Sequence, residues 1–266
     1  MPEITRHDVS ISFTDEGVGR PVLLLHGHTL DRRAWLTVVP HLLTAGLRVI
    51  RPDLRGHGRS DRPDFGYHFA DHAADMIALL DHLQIDRSAI IGFSFGGGVA
   101  MEIALTNPDR VNALGLVAPV MPDRPFEPAF MENLRELAGA IRSNGVAAAM
   151  AETWSNSPLF AHSFVKPGVR EAVAAIVADF PGAEFLATRR DEVSRDWMVP
   201  DRLSEIAIPT AVVVGEREMS GFRGYADEAA GAIPGATLEV VPDCGHLLPF
   251  EAPDTVAKMI IGLFKG

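Results

Sequence analysis

The chain has 266 residues, of which 47% are hydrophobic and 22% charged, and its formal net charge is −11 at pH 7. This composition is typical of one large globular domain that buries a substantial core without disulfides or metals. The acidic balance argues against nucleic acid and anionic membrane surfaces as partners, because both would repel the protein.

The cysteine content and the amino-terminal residues bear on the compartment. Cys244 is the single cysteine, so an internal disulfide is excluded. Residues 1–7 lack the basic and apolar regions of a secretory signal. The sequence also contains no run of about 18 apolar residues, the length that a membrane-spanning helix needs. We therefore expect a cytoplasmic protein without a membrane partner. The sequence leaves the oligomeric state open, a homo-oligomer included.

Short apolar runs alternate with helical patterns over the first 119 residues. Alternating apolar and polar residues over 4–13 predict an edge strand, and the continuous apolar run 22–25 predicts a buried strand. Further strands are predicted at 48–50, 89–93 and 113–117, and helices at about 33–44 and 70–83. This alternation predicts βαβ units and a parallel sheet with helices on both faces.

The pattern changes after residue 119. A proline-rich stretch ends the preceding strand and resists helix formation, and alanine-rich helical segments follow at about 129–153 and 168–195. The sheet pattern then returns, with strands at 210–214 and 237–241 and helices at about 222–232 and 252–264. We therefore predict an α/β core formed by residues 1–119 and 206–266, with residues 120–205 inserted as a helical cap.

A Gly-x-Ser-x-Gly pattern occupies residues 92–96, between a predicted strand and a predicted helix. In this setting the pattern is typical of a nucleophile elbow, a tight turn that lifts the serine out of the sheet. Glycine fits at both ends because the strand and the helix approach closely. The N–H groups at the start of the helix favour developing negative charge. Ser94 is therefore the candidate nucleophile.

A serine hydroxyl needs a general base, usually histidine, and the histidine needs a carboxylate that holds its tautomer. Of the ten histidines, His246 follows the last predicted strand, at the carboxyl edge of the sheet where open α/β folds bind ligands. The acid is expected in the loop after the strand at 210–214, where Glu218 is the best-placed candidate. Three other carboxylates remain alternatives: Asp123, Glu216 and Asp243.

Acyl transfer also requires backbone N–H donors for the oxyanion. We expect one from Phe95, directly after the nucleophile, and one from His28, in the loop after the strand at 22–25. His26 is expected to brace that loop through its ring. The other histidines lack metal-ligand spacing with carboxylates or Cys244, so we expect neither a metal nor a cofactor.

Apolar side chains are frequent in the predicted cap and around the elbow. We expect the substrate pocket to be lined by Phe95, Met121, Trp154 and Leu247. Such walls favour a substrate with an apolar acyl chain or a ring.

Several of these segments carry a resemblance to a known family. They are the His26-Gly27 loop with Trp35 downstream, the segment 53–60 (Asp-Leu-Arg-Gly-His-Gly-Arg-Ser), the Ser94 elbow and Gly245-His246. On these residues the chain resembles the α/β-hydrolase fold superfamily over essentially its whole length. Within that superfamily it is similar to the esterase, enol-lactonase and cofactor-free haloperoxidase-like group.

Two details refine the resemblance. Serine at the elbow argues against the related epoxide hydrolases and haloalkane dehalogenases, which carry aspartate there. Glu218 departs from the aspartate that most of the family has, and no proline shortly follows it. Segment 53–60 is interpreted as structural, with Arg55 and His57 as bracing groups.

The resemblance and the predicted site together imply a serine hydrolase that cleaves a small carboxylic ester or lactone. An acyl-enzyme would form on Ser94, with His246 as general base. A second hypothesis keeps the triad but assigns a carbon–carbon bond hydrolase, a lyase or a biosynthetic tailoring enzyme. A third is a ligand-binding pseudo-hydrolase. The sequence does not identify the substrate.

Overall fold

A mixed, mostly parallel sheet forms the centre of the computed structural model, which describes residues 2–188 and 198–265. Its strands are β1 (Glu3–Arg6), β2 (Val9–Glu16), β3 (Arg20–Leu25), β4 (Leu47–Pro52), β5 (Ser88–Phe93), β6 (Val111–Val117), β7 (Thr210–Gly215) and β8 (Thr237–Val241). Their order across the sheet is β1-β2-β4-β3-β5-β6-β7-β8. The β1–β2 and β2–β4 pairs are antiparallel, and the other neighbouring pairs are parallel.

Helices connect these strands. In the described residues they are α1 (Val39–Thr44), α2 (Phe69–His82), α3 (Phe95–Thr106), α4 (Pro128–Asn144), α5 (Val146–Glu152), α6 (Val169–Val177), α7 (Ala183–Leu186), α8 (Val199–Arg202), α9 (Ser220–Ala232), α10 (Leu248–Glu251) and α11 (Pro253–Gly262). Short 3-10 turns lie at Arg32–Trp35, Pro108–Arg110, Trp154–Asn156, Pro158–Phe160, Ser163–Val165 and Leu203–Glu205. This mostly parallel sheet with connecting helices is the arrangement that the resemblance to the α/β-hydrolase superfamily implies.

The central strands are continuous apolar runs because both of their faces are covered. Every residue of β5 and of β7 is buried. The last strand, β8, lies at the edge of the sheet, and its first three residues are exposed. The strands predicted from residue 22 onward are therefore confirmed in type and position.

The strand predicted at 4–13 is wrong in one respect, because the chain turns back within it. β1 and β2 form an antiparallel hairpin around His7 and Asp8, whose φ angles are 47° and 65°. A two-residue turn with positive φ at both positions suits the right-handed twist of the flanking strands. Neither residue is glycine, so the sequence contained little sign of the turn.

Predicted helices are interrupted where proline or glycine occurs. The helix predicted at 33–44 is a 3-10 turn followed by α1, with Pro40 in the first turn of α1. The helix predicted at 129–153 divides into α4 and α5 at Gly145, whose φ is 82°. Proline lacks an N–H for the preceding turn, and glycine readily takes left-handed backbone that ends a helix.

The segment between β6 and β7 contains α4 to α8 and several 3-10 turns, after an irregular stretch at 118–127. The helix predicted at 168–195 is represented by α6 and α7, which are separated around Gly182 (φ 67°). Residues 189–195 of that prediction lie outside the described residues. Among the residues with described structure, none of the helices combines the length and apolarity needed to cross a membrane.

The turn between β5 and α3 is packed so closely, within itself and against the end of β3, that only glycine fits at positions 92 and 96. A Cβ atom on Gly92 would lie 2.1 Å from the carbonyl oxygen of Gly96. A Cβ on Gly96 would lie 2.4 Å from the carbonyl oxygen of Leu25. Both obstacles are backbone atoms, so rotation of a side chain cannot relieve the contact. These close backbone contacts therefore determine the position of the turn between the strand and the helix.

Gly96→Ala should lower the free energy of unfolding by about 1–3 kcal/mol or more, because the methyl group overpacks against backbone. Gly139→Ala, within α4, is the matched control. Its Cβ would meet no atom within 4 Å, so it should stabilise the helix by roughly 0.5–1 kcal/mol. Urea denaturation followed by circular dichroism measures both values. Equal stability of the two variants would contradict the packing described.

Candidate active site

Ser94 stands at the turn between β5 and α3, with φ 52° and ψ −115°. A non-glycine residue with such a φ is strained and needs support from its surroundings. Its N–H donates to the carbonyl of Val117 at 2.9 Å, and its carbonyl accepts the N–H of Val120 at 2.9 Å. The end of β6 and the residues after it therefore hold the turn.

Three side chains form a hydrogen-bonded chain at this turn. His246 Nε2 lies 2.9 Å from Ser94 Oγ, and His246 Nδ1 lies 2.7 Å from Glu218 Oε2. The His246 and Glu218 side chains are 2% and 0% exposed. A carboxylate beside Nδ1 keeps the proton on that nitrogen, which leaves Nε2 free to accept the hydroxyl proton. The arrangement suits general-base activation of Ser94.

The other candidate acids make different contacts. Asp123 accepts the N–H of Val199 at 3.0 Å. Glu216 accepts the N–H of Asp243 at 3.1 Å, and both of these side chains are exposed beside Arg217. Glu218 is the candidate whose carboxylate lies against Nδ1 of the histidine.

Sequence analysis missed Glu251, which holds the loop that carries His246. Its carboxylate accepts the N–H groups of Gly245 and Leu247, each at 2.8 Å, and these residues flank the histidine. The hydroxyl of Ser163, from the segment between β6 and β7, also donates to it at 2.5 Å. No motif or spacing in the sequence distinguishes Glu251 from any other acidic residue before the last helix, so its role could not be predicted.

The two expected oxyanion donors flank the same site. Phe95 is the first residue of α3, so its N–H has no acceptor within the helix. His28 lies in the loop after β3, and both residues line a cavity with Ser94. A Cβ on Gly27 would lie 3.3 Å from the Cβ of Ser94, so this loop packs directly on the elbow.

His26 braces the loop, as expected. Its Nε2 accepts the N–H of Leu54 at 2.9 Å, and its Nδ1 lies 2.8 Å from the carbonyl of Gly27. The ring is fully buried, and burial lowers the pKa of His26 to about 4. A neutral ring with its proton on Nδ1 satisfies both contacts.

Segment 53–60 is a buried polar structure beneath this loop. Arg55 makes two hydrogen bonds of 2.7 Å to the carboxylate of Asp75, and His57 Nδ1 lies 3.0 Å from the carbonyl of Arg55. Asp53 accepts the N–H of Arg59 at 2.8 Å. These contacts agree with the bracing roles expected of Arg55 and His57.

Ser94 and His246 open onto a cavity of about 290 Å³. All four residues predicted for the pocket line it: Phe95, Met121, Trp154 and Leu247. Its other polar side chains include Glu184, which sequence analysis did not single out because the predicted cap carried no recognisable motif. In the parts of the chain with described structure, no group of three or more His, Cys, Asp or Glu side chains could hold a metal ion.

The chain matches the alpha/beta hydrolase fold family over residues 20–253. It therefore belongs to that family, in agreement with the resemblance drawn from its sequence.

Individual relatives cover nearly the whole chain. The N-acyl homoserine lactone degrading enzyme Est816 is 30% identical, with a TM-score of 0.78 over 98% of this chain and 99% of the other. A thermophilic esterase from Thermogutta terrifontis is 29% identical, with a TM-score of 0.77 over 100% and 98%. The 2-hydroxymuconate semialdehyde hydrolase of Pseudomonas sp. (strain CF600) is 30% identical over 278 residues, which cover 97% of this chain and 91% of that enzyme. The chain is thus similar to hydrolases with different substrates.

Buried histidines next to this site must remain neutral in the folded protein. Burial lowers the pKa of His26 to about 4 and of His57 to about 3, and it lowers the pKa of His72 well below 6.5. Both ring nitrogens of His72 and Nε2 of His57 have no hydrogen-bond partner among residues 2–188 and 198–265. A proton on any of these rings would place an uncompensated charge in the interior.

The free energy of unfolding should therefore fall as the pH drops from 6.5 towards 4. Below 6.5 the unfolded chain binds protons that the folded chain does not, so acid favours unfolding. For His26, the shift from 6.5 to about 4 corresponds to a loss on the order of 3 kcal/mol. Urea denaturation at a series of pH values measures the slope.

His72→Leu tests the origin of this slope. Replacing a buried imidazole without partners by an apolar side chain should leave stability at neutral pH equal or higher. It should also make the free energy of unfolding fall less steeply with decreasing pH, since the variant no longer has a His72 that binds a proton only in the unfolded chain. The exposed His162 provides the control, as His162→Gln. An unchanged slope in His72→Leu would contradict the account.

Proposed function

We propose that the protein is a serine hydrolase that cleaves a small carboxylic ester or lactone through an acyl-enzyme on Ser94. The observation that carries the proposal is the hydrogen-bonded chain from Ser94 Oγ through His246 to Glu218, at 2.9 and 2.7 Å. The esterase and lactone-degrading relatives support the same substrate class.

In the first half-reaction, His246 Nε2 takes the proton of Ser94 as Oγ attacks the carbonyl carbon. Negative charge develops on the carbonyl oxygen, where the N–H groups of Phe95 and His28 stabilise it. The positive end of α3 acts in the same direction. Glu218 stabilises the imidazolium, which then protonates the leaving alkoxide. The acyl group stays on Oγ; the alcohol of an ester departs, whereas the alcohol of an opened lactone remains attached to the acyl group.

In the second half-reaction, water is the nucleophile. His246 Nε2 takes a proton from the water as its oxygen attacks the acyl carbon. The same N–H groups stabilise the second tetrahedral intermediate. Its collapse breaks the bond to Oγ, and His246 returns the proton to Ser94. The acid product leaves, and Glu218 remains ionised throughout.

We further propose that residues 120–205 act as a cap that shapes the substrate site. Met121 and Trp154 come from this segment and line the cavity with Phe95 and Leu247. Trp154 is also anchored to the core, because its Nε1 donates to Thr29 Oγ1 at 2.7 Å. Apolar walls of this kind suit an acyl chain or a ring.

A carbon–carbon bond hydrolase is the second candidate. The similarity to 2-hydroxymuconate semialdehyde hydrolase, at 30% identity, favours it. Such an enzyme would hydrolyse simple esters slowly, whereas an esterase would turn them over rapidly. A ligand-binding pseudo-hydrolase is disfavoured, because the buried Ser94–His246–Glu218 chain has the hydrogen-bond geometry of an active triad.

Ser94→Ala should abolish hydrolysis of p-nitrophenyl acetate and p-nitrophenyl butanoate. If the triad acts as a unit, kcat should fall by up to roughly a millionfold. Release of p-nitrophenol measured by absorbance checks the result. Ser143, exposed on α4, provides the control, and Ser143→Ala should keep full activity. Near-normal turnover by Ser94→Ala would refute the proposal.

The identity of the carboxylate that orients His246 is tested by replacing each of two candidates with its neutral amide. Glu218→Gln should lower kcat roughly 10⁴-fold, because an amide beside Nδ1 no longer holds the productive tautomer. Asp123→Asn should have a small effect, since the N–H of Val199 can be accepted by an amide oxygen. The same absorbance assay applies. A large loss in Asp123→Asn with a small loss in Glu218→Gln would move the assignment to Asp123.

A further inference from the structure

The cavity beside Ser94 contains a carboxylate that the proposed mechanism does not use. Glu184, on α7, lines the cavity, and its Oε1 is hydrogen-bonded to Nε2 of His28. His28 is also the residue whose backbone N–H is proposed to stabilise the oxyanion. Glu184 is therefore one contact away from the reacting centre, although it is distant from the triad in the sequence.

Aromatic rings surround this carboxylate–imidazole pair. The ring centroid of His28 lies 5.7 Å from those of Phe180 and Phe185, 6.1 Å from Phe95 and 6.2 Å from Trp154. The Glu184 side chain is 23% exposed. A carboxylate in apolar surroundings gains strongly from any donor that reaches it, because competing water is scarce.

The carboxylate retains capacity to accept hydrogen bonds. Within residues 2–188 and 198–265, its hydrogen-bond partner is His28, through Oε1, and Oε2 has none. An ionised carboxylate offers about four acceptor sites. Burial acts against ionisation, but the charge interaction and hydrogen bond with His28 prevail and lower the pKa of Glu184. The group is therefore an acceptor at neutral pH.

Two other charged groups of the cavity wall are engaged by other residues. Asp123 adds a second carboxylate. The guanidinium of Arg124, also at the wall, is paired with Glu228 at 2.6 Å. Arg124 is thus occupied by Glu228, and Asp123 accepts the N–H of Val199. The relevant acceptor is therefore the carboxylate of Glu184, which attracts a donor and disfavours a second carboxylate beside it.

We infer that Glu184, held by His28, is a substrate-recognition residue that accepts a hydrogen bond from an N–H or O–H group of the substrate. The natural ester or lactone would thus carry such a donor near the scissile group and would lack a carboxylate there. This inference rests on the proposed function and specifies its substrate class. A site built around an acceptor rejects analogues without the donor, because the acceptor is left unpaired in the complex.

The test compares butanoate esters that differ at one group, with acid release followed in a pH-stat. 2-Acetamidoethyl butanoate carries an amide N–H, and its N-methyl derivative lacks it. 3-Hydroxypropyl and 3-methoxypropyl butanoate form the O–H pair. Butanoylcholine carries a positive charge but no hydrogen-bond donor, and 3,3-dimethylbutyl butanoate is its uncharged analogue. 3-Carboxypropyl butanoate carries the carboxylate. Ethyl 4-acetamidobutanoate and its N-methyl derivative place the donor on the acyl side.

For the wild type, kcat/KM should favour an N–H or O–H ester over its methylated partner by about tenfold or more, and the carboxylate ester should be the poorest substrate. Glu184→Leu should remove both the preference for the donor-bearing ester and the discrimination against the carboxylate ester. Glu184→Gln keeps a neutral acceptor, so it should retain part of the donor preference while the discrimination against carboxylate falls. Glu171→Gln, an exposed carboxylate on α6, is the control and should leave both ratios unchanged.

Each contrary outcome has a separate meaning. Equal kcat/KM within every pair, or ratios unchanged in Glu184→Leu, would overturn the inference while Ser94-dependent turnover upheld the proposed function. A uniform loss on all substrates would indicate that Glu184 only ties α7 to the core, and would also overturn it. If no ester is hydrolysed, the proposed function fails. Calorimetric binding of the N–H and N-methyl compounds to Ser94→Ala and to the Ser94→Ala/Glu184→Leu double variant then decides the role of Glu184.

Discussion

The close packing of α3 against the ends of β5 and β3 is the constraint on which the candidate site depends. Backbone atoms stand where a Cβ on Gly92 or Gly96 would lie, so the strand can pass into the helix through a single residue. That residue, Ser94, takes a strained backbone conformation of positive φ, which Val117 and Val120 support by hydrogen bonds. The position of the serine is therefore determined by backbone contacts of the sheet and does not depend on side-chain contacts.

The remaining groups reach Ser94 because parallel strands end at the same edge of the sheet. β3 leads into the loop of His28, β7 into the loop of Glu218, and β8 into the loop of His246. Separate contacts fix two of these loops: His26 bonds to Leu54, and Glu251 accepts the N–H groups on both sides of His246. The segment between β6 and β7 also lines the cavity and contributes Ser163 and Glu184 to these networks.

Local patterns predicted the parts of this arrangement that depend on short-range chemistry. The buried strands are continuous apolar runs, and Ser94, His246 and Glu218 each follow a predicted strand. The missed features depend on contacts between residues that are remote in sequence. Glu251 and Glu184 look like surface carboxylates until the fold brings loop N–H groups or His28 to them. The hairpin at His7 was missed because apolar periodicity does not reveal backbone of positive φ. The break at Gly182 had a signal in the Pro181-Gly182 dipeptide, which apolar periodicity alone does not register.

Covalent labelling with a fluorophosphonate tests the central claim most directly, because the probe phosphonylates a serine only when its hydroxyl is activated. The intact protein and the His246→Gln variant would be treated in parallel, digested and mapped by mass spectrometry. The account predicts a single modified residue, Ser94, in the intact protein and a nearly complete loss of labelling in the variant. Absence of label in the intact protein, or a label on another residue, would contradict it.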